Sequence, residues 1–151
     1  MFLQTQQLQV TRAFLALLLP GLVDATPAPS LNITAKVMLY QAGPPPSFDA
    51  DVTTYTESTF HGYTAVTLAS VMGPINLSSA QTGMHQQVDY VLTTPAGTPE
   101  SALGMLLVDT TKAIVYAGEA FARPVPFAAV GDALSYDLVL AIAAIWPGVN
   151  G

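Results

Sequence analysis

Short segments of alternating hydrophobic residues recur along most of this chain, at spacings of roughly ten residues. In residues 31–41, for example, Ile33, Val37 and Leu39 fall on one face of an extended strand, and polar or larger residues fall on the other. Gly, Pro and Asp separate the segments, as in tight turns. This pattern is typical of an antiparallel β-sandwich or β-barrel, and we count seven to eight strands.

The chain is long enough for one domain but unusually poor in charge. Of its 151 residues, 51% are hydrophobic and 9% are charged, whereas a soluble domain carries about 25% charged residues. We therefore expect part of the surface to be buried against other subunits, where charged residues are depleted. The alternative is a compact β domain with an uncharged Thr, Ser and Gln surface.

The net charge of −6 indicates which partners to expect. Nucleic acids and anionic membranes are bound through Lys and Arg, and the chain has four of these residues against ten Asp and Glu. We expect neither partner. The chain has no cysteine, so disulfides and thiolate metal sites are excluded.

Residues 53–70 form the stretch around which the rest of the chain is expected to be organised. Thr and aromatic residues dominate its first part, and both favour a half-buried pleated surface. Gly62 permits a kink, a bulge or a positive φ, and the residues after it alternate. We predict that residues 62–70 form a central strand, with residues 33–40 and 113–118 as further central strands.

The N-terminus has two interpretations. Residues 10–23 are apolar apart from Thr11 and Arg12, which fits either the core of a signal peptide cleaved after Ala25 or a helix over residues 4–19 stopped by Pro20 and Gly21. We favour the helix. The predicted organisation is thus an N-terminal helix and Pro-rich linker (residues 1–30) followed by a β-sandwich domain (residues 31–151).

Residues that could carry chemistry are few and scattered. A metal site would need both His61 and His85 with a carboxylate such as Glu57 or Asp89, but no close ligand spacing joins them. Most aspartates stand beside turn signals, where Asp caps backbone amides; these are Asp24, Asp49, Asp51, Asp109 and Asp132. We expect no enzyme activity, no catalytic residues, no metal and no cofactor.

The last strand loses its alternation after Leu140, and residues 138–146 carry no charge. A half-buried strand of a monomer shows polar residues on its outer face, so we expect this segment to pack against another chain. The predicted assembly contacts are one set in the N-terminal helix and one near the C-terminus: Phe14, Leu15, Leu18, Ile142, Ile145 and Trp146.

Four short motifs resemble small bacteriophage virion proteins. These are Leu39-Tyr40 at the end of a strand, prolines 44–46 in the next loop, residues 55–63, and Gly-Asp-Ala-Leu at 131–134. The third, Tyr-Thr-Glu-Ser-Thr-Phe-His-Gly-Tyr, is similar to a Phe-Thr-Glu-Ala-Thr-Phe-x-Gly-Tyr motif of that group, and we expect Glu57, Phe60, Gly62 and Tyr63 to be its structural residues. The apolar tail from Ile142 departs from the group's pattern.

The resemblance implies a non-enzymatic component of a virion, and a capsid cement or decoration protein is the expected type. Such a protein would form a closed ring, for which we expect a trimer, and would contact other virion proteins such as the major capsid protein. A phage tail or baseplate component is an alternative. Another is a secreted β-sandwich binding module that has lost its signal peptide and binds its ligand through the loop of Pro44, Pro45 and Pro46; an unrecognised hydrolase is a third.

Overall fold

Nine strands in two sheets account for most of the part of the chain that the structure describes. The computed structural model describes residues 2–4, 9–14, 16, 34–68, 81–95 and 97–143, and for residues 2–4, 9, 81–85 and 139–143 it describes the backbone alone. The strands are β1 (Phe2–Gln4), β2 (Gln9–Val10), β3 (Ala35–Ala42), β4 (Thr56–Glu57), β5 (Val66–Leu68), β6 (Gln81–Val91), β7 (Glu100–Asp109), β8 (Val115–Phe127) and β9 (Ala133–Ala143). A short 3-10 helix covers Val52–Thr54.

Sheet one has three strands in the order β1-β9-β6, and sheet two has six in the order β2-β8-β7-β3-β4, with β5 also paired to β3. All pairs are antiparallel except β1 with β9. The expected mainly β fold is therefore confirmed. The two sheets pack as a sandwich, and the described strands do not join into one closed barrel.

The helix predicted over residues 4–19 is wrong in its first half. Gln9 and Val10 pair with Gly118 and Ala117 in sheet two, and Phe2–Gln4 pairs with β9 in sheet one. Among the described residues of this N-terminal segment, only Arg12–Phe14 and Ala16 are helical. Pairing with strand edges satisfies the backbone amides as a helix would, and tertiary contacts override a weak helical preference. The predicted linker lies outside the described residues.

Sheet two is covered on both faces. Between the sheets lies a large apolar cluster that includes Leu39, Leu107 and Phe127 of sheet two and Tyr90 and Tyr136 of sheet one. On the opposite face of sheet two, a second cluster is packed against the loop that follows β3; its buried residues are Met38, Tyr40, Leu106, Val108 and Val115. This double burial explains why β7 is apolar almost throughout, with little alternation.

The stretch predicted as a central strand lies instead at an edge. Of its described residues, 62–68, only Val66–Leu68 form a strand. This strand pairs with one end of β3, whereas β4 pairs with the other end. In sheet two the strands with neighbours on both sides are β3 and β7, each over about half of its length, and β8 at Ala117 and Gly118; β9 is the middle strand of sheet one. Gly62 has φ 90°, so the expected positive φ is confirmed, in a turn and not within a strand.

Candidate functional site

An open apolar groove of about 450 Å³ lies on the surface of sheet two. The helical residues after β2, the loop before the 3-10 helix and the turn before β8 form its walls. Phe48 and Ile114 are its most prominent apolar side chains, and they are 39% and 44% exposed. Two large exposed apolar groups on one groove are a feature of contact surfaces.

Arg12 anchors one wall of the groove to the other. Its backbone N–H donates to the Phe48 carbonyl at 2.9 Å, and its Nε donates to Asp49 Oδ1 at 2.9 Å. The guanidinium carbon lies 4.9 Å from the centre of the Phe48 ring. The ion pair is about 70% exposed on both sides, so it contributes little to stability. Its effect is to place a charged rim beside the exposed ring.

Asp109 shapes the turn that presents Ile114. Its carboxylate accepts hydrogen bonds from the backbone N–H groups of Thr111, Ala113 and Ile114, at 2.6–3.1 Å. Burial by itself raises the pKa of Asp109, but these hydrogen bonds and that of the Thr111 hydroxyl outweigh it and leave the pKa lowered. The charged carboxylate therefore holds the turn in place.

Asp51 has a similar role on the opposite wall. It caps the 3-10 helix by accepting from the backbone N–H of Thr53 at 2.9 Å, and this bond and that of the Thr53 hydroxyl lower its pKa. Asp132 caps the last turn by accepting from Ala128 and Ala129. The expectation of capping is confirmed for these aspartates and for Asp109. Asp49 instead pairs with Arg12, and Asp24 lies outside the described residues.

Three of the four motif residues, Glu57, Phe60 and Tyr63, come together at the edge of sheet two, whereas Gly62 lies against Val91 and Thr93 at the end of β6. Tyr63 contacts β3 at Leu39, between the parts of β3 that pair with β5 and β4. Its hydroxyl accepts from the Leu39 N–H at 3.1 Å and donates to Glu57 Oε1 at 2.9 Å. Lys112 Nζ binds both oxygens of Glu57 at 2.7 Å. The Phe60 ring lies edge-on to Tyr63, with the ring centres 5.2 Å apart, and stacks on Phe127. These contacts complete the edge of β3 by side chains where no strand pairs with it.

A smaller and more polar cavity of about 290 Å³ lies beside this motif. His61 and Glu100 are among its lining residues. His61 Nδ1 is 2.8 Å from the Thr94 hydroxyl, and Glu100 accepts from the Thr59 N–H at 3.0 Å. Within the described residues no three His, Asp or Glu side chains are grouped closely enough to hold a metal ion.

The predicted assembly contacts are placed only in part. Phe14 is 1% exposed and packs against Tyr116, with the ring centres 5.7 Å apart. Its ring is therefore part of the chain's own core and is not available to a partner, contrary to expectation. Ile142 is paired with Thr82 in the β9–β6 ladder, but its side chain lies outside the described residues. Leu15, Leu18, Ile145 and Trp146 also lie outside them.

Sequence reasoning missed the groove. Its walls come from segments near residues 12, 50 and 114, which no local pattern connects. The local signals were Phe48 directly after a proline-rich loop and Ile114 directly after a turn, where a large apolar residue is not needed for the strand pattern. In the described segments no helix is long and apolar enough to cross a membrane.

Comparison with known proteins identifies no relative. Protein-family models, curated proteins and solved structures were each searched, and no match was found in any of them.

Proposed function

We propose that this protein is a non-enzymatic structural component of a virion, and that it acts as a capsid cement or decoration protein. The observation that carries the proposal is the groove with Phe48 and Ile114 exposed on a charge-poor β-sandwich. An apolar centre with a charged rim is the usual anatomy of a protein–protein interface. The resemblance of residues 55–63 to a phage virion motif supports a virion as the assembly in which this interface is used.

The proposed mechanism is burial of apolar surface across a joint between subunits. An apolar side chain of the major capsid protein would enter the groove between Phe48 and Ile114, and each Å² of apolar surface removed from water contributes about 25 cal/mol. Asp109 and Asp51 hold the two walls before binding, so little conformational entropy is lost on contact. The apolar residues Ile142, Ile145 and Trp146 are proposed as a second contact.

A tail or baseplate component would use the same groove, so only the position in the particle separates it from a head protein. The secreted module is less well supported. Cleavage after Ala25 would remove Phe14 and Thr11 from the core, together with β1 and β2, and the Thr11 hydroxyl donates to the Val115 carbonyl at 2.6 Å. These contacts favour a mature protein that retains the segment.

The test begins with particles purified from the organism that carries the gene. Mass spectrometry should find the protein in fixed stoichiometry, and electron cryomicroscopy should place it on the outer surface of the head. Density in the tail would support the alternative, and absence from the particles would refute the proposal.

A second test uses binding of the purified protein to particles that lack it. Phe48→Asp and Ile114→Asp should abolish binding, because each places a charge in the apolar groove. Val130→Asp is the matched control, since Val130 is 58% exposed and does not line the groove. Equal binding by all three variants would show that the groove is not the contact surface.

A further inference from the structure

The free edge of β6 is the longest unpaired strand edge in the described part of the chain. β6 pairs with β9 over its whole length, from Gln81 opposite Ala143 to Val91 opposite Ala133. No described strand lies on its other side. An unpaired edge presents a row of backbone N–H and C=O groups that can pair with another strand.

The other open edges in the described residues are shorter or blocked. On its β1 side, β9 has no described strand partner from Leu138 to Ala143, which is about half the length of the β6 edge. Beyond Gly118, β8 lacks a second neighbour, but this part carries Arg123, Pro124 and Pro126. Proline cannot donate to a ladder, and a charge on an edge discourages pairing. β4 and β5 have only two and three residues. β6 contains no proline, lysine or arginine, and its one acidic residue is Asp89.

We propose that β6 pairs with β6 of a second copy of this chain, antiparallel and about a two-fold axis at Gln86. Gln86 is the central residue of Gln81–Val91, so this register pairs the strand over its full length. The two three-stranded sheets become one six-stranded sheet in the order β1-β9-β6-β6-β9-β1. A two-fold interface brings the same residues together from both copies.

The sequence of β6 is complementary to itself in this register. Gln86 is opposite Gln86, and an amide both donates and accepts hydrogen bonds. Val88 is opposite Met84 in this register, and both are apolar residue types. Asp89 is opposite Gly83, so two carboxylates do not meet, as they would if the axis lay at Asp89. The pairing gives a dimer and not the trimer expected from the sequence. The proposed dimer does not depend on the proposed role in a virion.

Charge variants at the axis test the proposal. Light scattering and native mass spectrometry should show that the wild-type protein is a dimer. Gln86→Lys and Gln86→Glu each place two like charges opposite one another, so each should raise the Kd of the dimer roughly tenfold or more. An equal mixture of the two variants should recover as a heterodimer, because opposite charges then meet at the axis.

Ala122→Lys is the matched control, since it adds a positive charge to the exposed, proline-blocked edge of β8, and it should remain dimeric. Circular dichroism checks that each variant is folded. Should the Gln86 variants unfold, hydrogen exchange of the wild-type protein decides: the amides of residues 86–91 should become more protected as concentration rises. A wild-type monomer or trimer, unaffected Gln86 variants, a mixture that does not recover, or exchange independent of concentration would each overturn the proposal.

Discussion

At the scale of single residues, Gly62 combines a positive φ with close packing against neighbouring atoms. Its φ is 90°, and an added Cβ would lie 2.6 Å from the Thr93 hydroxyl oxygen and 2.9 Å from the Val91 carbonyl oxygen. Both the conformation and the space exclude a β-branched side chain. Gly62→Val should therefore lower the free energy of unfolding by more than about 1 kcal/mol, measured by urea denaturation.

Two other glycines separate the causes of that loss. Gly131 has φ 94° with open space around it, and Gly97 has open space without a positive φ. Gly97→Val should have almost no effect, and Gly131→Val should show the cost of φ alone. A Gly62→Val protein as stable as the Gly97→Val protein would contradict the assignment.

Glu119 is a buried carboxyl group that faces the space between the sheets. It is 6% exposed, and Tyr136 donates a hydrogen bond to its Oε2. Its Oε1 has no hydrogen-bond partner among the described residues. Burial raises its pKa above the ordinary value, and the Tyr136 hydrogen bond opposes this only in part. Its favourable contribution is thus complete below the unfolded-state pKa and is lost as pH rises through the folded-state pKa.

Glu119→Gln should remove this pH dependence, because the amide is neutral throughout. We expect the variant to melt at a higher temperature than the wild-type protein near pH 7, with the difference shrinking near pH 4. Melting curves across this range measure the effect, and Glu100→Gln, at a half-buried carboxyl on the rim of the polar cavity, is the control. A constant difference at all pH values would show that Glu119 does not titrate differently in the folded state.

At the scale of elements, residues 55–63 complete the edge of β3 by side-chain contacts. Tyr63→Phe removes the hydroxyl that accepts from the Leu39 N–H and donates to Glu57. An unsatisfied buried group costs about 1–3 kcal/mol, so the free energy of unfolding should fall by that amount. A double-mutant cycle with Glu57→Gln measures the coupling. Strictly additive effects would mean that the two side chains do not act together.

The N-terminal segment belongs to both sheets, through β1 and β2, and Phe14 fixes its end in the core. Phe14→Ala should destabilise the fold by about 3–5 kcal/mol, as expected for the loss of a buried aromatic ring. Phe48→Ala is the control at an exposed ring and should cost less than about 1 kcal/mol. Equal losses of stability by Phe14→Ala and Phe48→Ala in thermal denaturation would contradict the assignment of Phe14 to the core.

At the scale of the whole molecule, the C-terminal apolar residues are predicted to act in assembly and not in folding. Truncation after Ala143 keeps all of β9 but removes Ile145 and Trp146. We expect an unchanged melting temperature and weaker incorporation into particles. The full-length double variant Ile145→Ser and Trp146→Ser checks that chain length is not the cause. Loss of folding on truncation would assign these residues to the core instead.

The β class, the turns and the requirement for glycine at position 62 could be predicted from the sequence alone. Alternation and turn chemistry act between neighbours in the chain, so Asp51, Asp109 and Asp132 were recognisable from their local setting. Three features follow from the tertiary structure alone: Phe2–Gln4 and Gln9–Val10 are strands, residues 66–68 lie at an edge, and Phe48 and Ile114 line one groove. These features depend on contacts between distant segments, such as Thr11 with Tyr116, 105 positions away. Their pairing energy outweighs local preference, and no local pattern encodes it.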